Sequence, residues 1–255
     1  MAAIHYEKRE HVVLITMEGD NDLNIGMVGA DLHARLEEYR LDDDLWCAVI
    51  TGNGSRAFSA GANLRGIGNR LGAATNLWAR RTLDLISSTD FWKPVIAAVN
   101  GHAIGAACML ALACDIRIAS DNATFGIPEI AFGGPPGMGS TQRMPRAIPL
   151  GPALEMLLTG DRISAEQAGI WGLVNRVVPL TELPDAAMDL ASRIVRHPPL
   201  AVRATKEAVM RGLDMSLEQG LRLENLLSSS ARKTEDGQEA LRALSEKRTP
   251  VFKGR

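Results

Sequence analysis

The chain has 255 residues, of which 46% are apolar and 23% charged, and its formal net charge is −2. This balance is typical of a folded globular protein, and the lack of excess positive charge argues against nucleic acid as the main partner. The three cysteines, Cys47, Cys108 and Cys114, lie in apolar segments without a C-x-x-C pair, so we expect buried, reduced thiols and no metal site. The charged amino terminus is unlike a signal peptide, which favours a cytoplasmic location.

Short β-branched runs alternate with longer helical patterns along the first two thirds of the chain. Strands are predicted at residues 12–17, 45–51, 94–99, 115–119 and 173–178. Helices are predicted at residues 29–40, 77–87, 105–113 and 153–159. The alternation predicts an α/β layer structure.

After about residue 186 the chain carries helical patterns only. Helices are predicted at residues 200–211, 216–229 and 234–247, and the spacing of Ser164 with Gln167 and of Ser216 with Gln219 fits a capping box at each helix start. The apolar stripe of the second of these three helices must be covered, so we expect it to be shared with the core or with another subunit: Leu221, Leu223, Leu226 and Leu227.

Several common catalytic motifs are absent from the sequence. It contains no G-x-x-x-x-G-K-[ST], no Gly-rich turn after the first predicted strand and no G-x-S-x-G. The five histidines are far apart and none has a zinc-type partner nearby. These absences argue against a P-loop enzyme, a dinucleotide-binding dehydrogenase, an α/β-hydrolase and a zinc enzyme.

Two turns rich in glycine and alanine remain as candidates for chemistry. The first is F-S-A-G-A-N-L-R at residues 58–65, and the second is V-N-G-H-A-I-G-A-A-C at residues 99–108. Small residues let a ligand approach the backbone, and two free N–H groups aimed at one oxygen form an oxyanion hole. Each turn taken alone is explained as well by tight packing.

The order of motifs along the chain resembles the crotonase family, the enoyl-CoA hydratases, isomerases and their relatives. The resemblance rests on both turns followed by C-D-I-R-I-A, F-G-I-P-E-I, G-G-P-P-G-M-G-S-T-Q-R, a long match at residues 159–179 and a V-F-K-G-R terminus. It implies an α/β fold in which a spiral of ββα turns at residues 1–190 binds acyl-CoA. It also implies a C-terminal helical trimerisation region at residues 191–255, with homotrimers that usually pair as hexamers.

The resemblance also implies roles for individual residues. Ala62 and Ala106 match the family's two main-chain oxyanion donors, although the second position is usually glycine. Binding of the coenzyme A part of the substrate is implied for Asn21, Asp22, Leu23, Ala60, Ala62, Leu64, Arg65, Phe252 and Lys253, the last two often toward a neighbouring subunit. For Arg65 and Lys253 a solvated surface charge is an equal alternative. No cofactor is expected beyond coenzyme A itself.

The acid–base residues depart from the family's hydratase pattern. Glu129 matches one catalytic glutamate, but Met109 stands where hydratases carry the second, and we expect Met109 to line an apolar pocket wall. One glutamate is the pattern of the family's enoyl-CoA isomerases, whereas Gly137 replaces the extra acid of dienoyl isomerases. Double-bond isomerisation, or impaired hydration, is therefore favoured.

Other functions stay open at this point. The same scaffold supports acyl-CoA hydrolases and decarboxylases, and loss of one glutamate also suits a non-catalytic acyl-CoA binder. Asp84 and His102 are further candidates for the pocket, with a structural role favoured for His102. The acyl group and the pathway are not indicated by the sequence.

Overall fold

The computed structural model describes residues 2–62 and 90–255, and it contains two sheets. The larger has six strands in the order β1 (Ala3–Arg9), β2 (Val12–Glu18), β3 (Cys47–Gly52), β5 (Val95–Val99), β7 (Ile116–Ser120) and β10 (Arg176–Val178). The smaller has four in the order β4 (Ala57–Ser59), β6 (His102–Ile104), β8 (Thr124–Gly126) and β9 (Ile163–Ser164).

From β3 to β8, consecutive strands alternate between the two sheets, which gives this part of the chain a spiral course. Strands β3, β5 and β7 each lie in the large sheet, and each is followed by a short strand, β4, β6 or β8, in the small one. Neighbours within these two series pair in parallel, whereas β1 and β2 form an antiparallel hairpin. Successive turns of the spiral therefore place their strand-to-strand connections side by side.

Nine α-helices are described, in addition to two short 3₁₀ helices at Pro128–Phe132 and Leu180–Glu182. They are α1 (Ala30–Leu41), α2 (Ala106–Ala113), α3 (Ser140–Ala147), α4 (Leu150–Thr159), α5 (Ala165–Trp171), α6 (Leu183–Val195), α7 (Pro199–Gly212), α8 (Leu217–Arg232) and α9 (Glu235–Glu246).

Two apolar clusters cover the faces of the large sheet. The main cluster packs one face, including Val13, Ile15 and Ile50, against α2, in which every residue except Ala113 is buried. The second packs the other face against Leu183, Ala187 and Ala191 of α6. A helix that is apolar all round belongs in a protein interior, so α2 is fixed by its surroundings on every side.

Most predicted elements are confirmed to within three residues at either end. The prediction of a strand at 173–178 is wrong in its first half: the amides of Leu173 and Val174 donate to Ala168 O, which ends α5 in a turn at Gly172 (φ +81°), so β10 begins only at Arg176. The predicted helix at 77–87 lies outside the described residues.

The C-terminal helices also follow the sequence prediction. Ser216 forms the predicted capping box with Gln219, and Ser164 accepts the amide hydrogen of Gln167. Among the described residues no strand follows β10. The predicted boundary at residue 190 falls inside α6, which still packs on the sheet.

The predicted leucine stripe on α8 is only half covered within one chain. Leu223 and Leu227 are partly buried, but Leu221 and Leu226 are 49% and 63% exposed. No described helix is long and apolar enough to cross a bilayer.

Candidate active site

The loop at residues 19–26 is anchored by a buried asparagine. Asn24 is 1% exposed and adopts φ +49°, a left-handed conformation that asparagine tolerates better than most residues. Its side-chain amide donates to Ala57 O (2.8 Å) and Asn53 O (3.0 Å), and its Oδ1 accepts from Gly19 N (3.0 Å). The loop is thereby joined to the turn that leads into β4.

The same loop runs alongside the first glycine–alanine turn. The amide of Ala60 donates to Leu23 O (2.8 Å), and the amide of Gly26 donates to Gly61 O (2.7 Å). The buried hydroxyl of Ser59 donates to Asn24 O (2.7 Å) and accepts from Gly61 N (3.2 Å). The structure therefore places Leu23 directly against Ala60, in the turn that also carries Ala62.

A second buried asparagine holds the connection between β3 and β4. Asn100 donates to Gly52 O (2.9 Å) and Gly54 O (2.8 Å) and accepts from Gly52 N (3.0 Å). Sequence reasoning missed Asn24, Ser59 and Asn100, because polar residues in loops and in a three-residue strand have no periodicity to mark them as buried. Their burial inside an all-polar network is visible only in three dimensions.

The second glycine–alanine turn lies directly against the first. A Cβ placed on Gly61 (φ +91°) would be 2.7 Å from Ile104 O and 3.7 Å from Ala106 N. Ala106 is the first residue of α2, so its N–H has no acceptor within the helix. Gly105 (φ +57°, ψ −123°) donates to Gly126 O (2.8 Å) and accepts from Met109 N (3.0 Å), which fixes the turn on both sides.

Glu129 lies next to this second turn. It belongs to the 3₁₀ helix Pro128–Phe132, and its Oε1 is 2.6 Å from the position that a Cβ on Gly105 would occupy. Its Oε2 is buried and has no hydrogen-bond partner among the described residues. Burial raises the pKa of this carboxyl group above its usual range, opposed in part by a hydrogen bond from its own main-chain amide.

Met109 and Cys108 lie behind the turn, in the apolar core. Met109 is 2% exposed, which agrees with the predicted apolar environment, and no carboxylate occupies its position. Burial raises the pKa of the Cys108 thiol to about 12, so it is not a nucleophile at neutral pH. All three cysteines are buried and unpaired, as predicted.

His102 has a structural partner. One ring nitrogen is 2.8 Å from Thr124 Oγ1 on the neighbouring strand β8. Burial, and then the nearby charges of Arg162 and Arg56, lower the pKa of His102. This environment is consistent with the structural role favoured from the sequence.

Not all predicted coenzyme-binding residues gather at the two turns. Asp22 forms an exposed ion pair with Arg56 (2.8 Å). Leu64 and Arg65, like Asp84, lie outside the described residues. No group of three potential metal-ligating side chains occurs in the described part of the chain.

Phe252 and Lys253 lie in a C-terminal segment that is held far from the turns of the same chain. The amides of Lys253 and Gly254 each donate to the buried carboxylate of Asp236 (2.7 Å). A Cβ on Gly254 would lie 3.5 Å from Trp46 Nε1, just before the start of β3. The two turns lie beyond the other end of that six-residue strand, which spans roughly 20 Å.

Two adjacent main-chain turns and a partly desolvated carboxylate define the chemistry that this site can support. Main-chain N–H groups stabilise a developing oxyanion, and a carboxyl group with a raised pKa transfers protons near neutral pH. Such a combination suits an enzyme that forms and reprotonates an enolate.

Comparison with known proteins agrees with this class. The family model for enoyl-CoA hydratase/isomerase matches residues 7–255. The (E)-benzylidenesuccinyl-CoA hydratase of Thauera aromatica is 40% identical over 97% of this chain and 98% of its own length. The 2,3-dehydroadipyl-CoA hydratase of Escherichia coli is 40% identical over the full length of both chains.

Solved structures lead to the same family. An enoyl-CoA hydratase from Mycobacterium tuberculosis superposes with a TM-score of 0.89 at 31% identity, and one from Bacillus anthracis with 0.87 at 34%; each comparison covers 99% of both chains. The chain belongs to the enoyl-CoA hydratase/isomerase family, has the crotonase fold and is an enzyme of that family.

Proposed function

We propose that the chain binds an enoyl-CoA thioester and holds its carbonyl oxygen between the N–H groups of Ala62 and Ala106. Glu129 then removes a proton from Cα of a 3-enoyl-CoA and returns it at Cγ, or catalyses the reverse. The product is the conjugated 2-enoyl-CoA, and no atom is gained or lost.

The environment of Glu129 is the observation that carries this proposal. A carboxylate next to the Ala106 turn, with one oxygen buried and without a hydrogen-bond partner in the described part of the chain, is a stronger base than one in water. Base strength matters because the proton to be removed is bound to carbon. The enolate that forms is stabilised only while its oxygen accepts hydrogen bonds, which the two turns would supply.

Met109 is the reason for preferring isomerisation. Hydration needs one group to activate water and another to deliver a proton, whereas isomerisation needs a single group that shuttles one proton. A buried thioether beside the second turn does neither.

Hydration is the second candidate, because relatives that match this chain over nearly their whole length are named as hydratases. Glu129 alone would then serve both steps. Loss of one acid–base group typically lowers the rate by a factor of about 10² to 10⁴.

A direct assay separates the two candidates. The purified protein is given 3-enoyl-CoA and 2-enoyl-CoA in turn, and the ultraviolet absorbance of the conjugated thioester is followed. We expect absorbance to rise with 3-enoyl-CoA and to change far more slowly with 2-enoyl-CoA in the presence of the wild-type protein. Fast loss of absorbance from 2-enoyl-CoA would favour hydration instead.

Variants connect the activity to the carboxylate. Glu129→Gln should abolish isomerisation while CoA binding is retained, and Glu166→Gln, an exposed glutamate on α5, should leave it unchanged. Turnover of neither substrate by wild type, with CoA still bound, would contradict the proposal and point to a non-catalytic acyl-CoA binder. Release of free CoA would point to a hydrolase.

Coenzyme binding and assembly belong to the same proposal. Asn21, Asp22, Leu23, Ala60, Ala62, Leu64 and Arg65 contact the coenzyme of their own subunit, and Phe252 and Lys253 contact that of a neighbour in a homotrimer or hexamer. The position of Asp236 and Trp46 at the far end of β3 supports the second assignment. Buried free thiols support a reducing compartment, which we propose is the cytoplasm.

A further inference from the structure

The direction of the Ala62 N–H is fixed by the carbonyl at the other end of the same peptide bond. A trans peptide is planar, so the Ala62 N–H points opposite to Gly61 O. Gly61 O accepts a hydrogen bond of 2.7 Å from the amide of Gly26. The Gly26 amide therefore sets the direction of the proposed donor, and it also polarises that peptide so that its N–H donates more strongly.

The second proposed donor has the same arrangement within a helix. The Ala106 N–H lies opposite Gly105 O, which accepts a hydrogen bond of 3.0 Å from the amide of Met109. This hydrogen bond is held by α2 itself. For the first donor, the partner of the preceding carbonyl that the structure describes is the Gly26 amide, so the donor's orientation depends on how firmly the loop at residues 19–26 is held against the turn.

A single buried hydroxyl joins these two segments beside the donor. Ser59 Oγ donates to Asn24 O (2.7 Å) and accepts from Gly61 N (3.2 Å), so it contacts both the loop and the peptide that precedes the donor peptide. Asn24 is two residues before Gly26, and its side chain is in turn held by Asn53 O and Ala57 O. The hydroxyl is fully buried, and water cannot replace these bonds.

We propose that Ser59 is a positioning residue for the oxyanion hole, which it maintains by holding the Gly26 amide against Gly61 O. This inference rests on the proposed function, because it assumes that Ala62 N–H binds the thioester oxygen. Ser59 itself does not contact the substrate. Its loss should turn and depolarise the donor peptide without removing any group that reacts.

The test measures the thioester carbonyl directly. Butyryl-CoA labelled with ¹³C at the carbonyl cannot react, and its stretching frequency falls when hydrogen bonds polarise the C=O bond. Difference infrared spectra are recorded for the ligand bound to wild type, Ser59→Ala and Ser120→Ala. Ser120 is a matched control, since it is equally buried and its hydroxyl donates to a main-chain carbonyl, Val99 O (3.1 Å), within the large sheet.

Relative to free butyryl-CoA, we expect the C=O stretching frequency of the bound ligand to fall strongly with wild type and with Ser120→Ala. With Ser59→Ala the fall should be clearly smaller. The alanine variant at 59 should also lose kcat/KM for 3-enoyl-CoA by a factor of about 10 to 100, with little change in KM. That is less than the factor of about 10² to 10³ for outright removal of an oxyanion donor. A similar drop in melting temperature for both alanine variants would show that stability does not explain the difference.

The outcomes distinguish the two proposals. If bound butyryl-CoA shows no fall in frequency even with wild type, the oxyanion hole itself is wrong. If wild type and Ser59→Ala show the same fall, the hole stands and the role of Ser59 is overturned. Should the alanine variant not fold, Ser59→Cys keeps the volume with a weaker hydrogen-bonding group and should give an intermediate fall; a full fall there overturns the inference.

Discussion

At the scale of single residues, burial of Glu129 raises the pKa of its carboxyl group. Its Oε2 is buried and has no hydrogen-bond partner at residues 2–62 or 90–255, so the charged form of the carboxyl group is less stable in the folded protein than in water. A raised folded-state pKa means that the folded protein binds more protons than the unfolded chain. Stability from this group is therefore fully present below the unfolded pKa and is lost as pH rises through the folded pKa.

Replacement of Glu129 should remove the free-energy cost of burying its charged carboxylate. Glu129→Gln carries no charge, so we expect it to unfold at a higher temperature than wild type at pH 7, and the difference should shrink as pH falls toward the ordinary carboxyl pKa of 4.5. Calorimetric scans across that pH range measure the effect, with Glu166→Gln as the exposed control. A difference that grows on acidification would mean that the carboxylate is stabilised, not desolvated, in the fold.

Met109 permits a test in the direction of gained activity. A carboxylate at this position, one helical turn into α2, should supply the missing acid–base group and raise the hydration of 2-enoyl-CoA by on the order of 10²-fold. The new group is buried, so Met109→Glu should also lose about 2 kcal/mol of stability. Met109→Gln is the control, because glutamine matches the shape of glutamate but cannot act as an acid or base, and it should show no gain in hydration. If Met109→Glu binds CoA yet stays inert, residue 109 lies away from the reacting carbon.

At the scale of elements, the turn between β6 and α2 depends on a glycine with no room for a side chain. Gly105 adopts φ +57° and ψ −123°, and a Cβ there would be 2.6 Å from the Glu129 carboxylate. Glycine is required for the backbone angles and again for the space.

Comparison of two glycines separates these requirements. Gly105→Ala and Gly172→Ala should each lose roughly 1 to 2 kcal/mol, because both glycines have positive φ. Only the new Cβ of Gly105→Ala collides with the Glu129 carboxylate, because a Cβ on Gly172 meets nothing within 4 Å. Kinetic assays should show at least a 10-fold loss of isomerase activity (on the scale of acid–base effects) for residue 105 alone; equal activity in the two variants would argue against contact with Glu129.

The elements that the sequence predicted are those with long, regular patterns. Strands β2, β3, β5 and β7 are apolar runs, and α7, α8 and α9 have clear caps or stripes. Strands β4, β6 and β8 have three residues each, too few to show a period, and β1 has mostly charged or exposed residues because it is an edge strand.

The candidate site was predicted through motif order, not through periodicity. Glu129 and the two turns followed from the resemblance, whereas the polar network of Asn24, Ser59 and Asn100 did not. Those residues hold the main chain through hydrogen bonds whose partners are up to 48 residues away in sequence, and no local pattern encodes such pairs.

For the whole molecule, apolar side chains remain exposed on the last two helices. Leu217, Leu221 and Leu226 on α8 and Leu241 and Leu244 on α9 are between 49% and 79% exposed. Large apolar residues clustered on one region commonly mark a protein–protein interface. This supports the proposed homotrimer or hexamer.

Light scattering tests the assembly. We expect a mass three or six times the 27.4 kDa of one chain for wild type and a lower mass for Leu226→Glu, since a charge in an apolar interface is not solvated. Leu41→Glu, an exposed leucine at the end of α1, should keep the wild-type mass. A wild-type protein that sediments as a single chain would contradict the proposed sharing of Phe252 and Lys253 between subunits.

The proposed oxyanion donors belong to the main chain at positions 62 and 106, and both positions already carry alanine. A conventional alanine scan would therefore leave both donors unchanged, and it would detect only Glu129 and the residues that position the donors. A mutational map of the active site should therefore show loss of activity at residues that surround positions 62 and 106, and little effect of side-chain truncation at those two positions themselves.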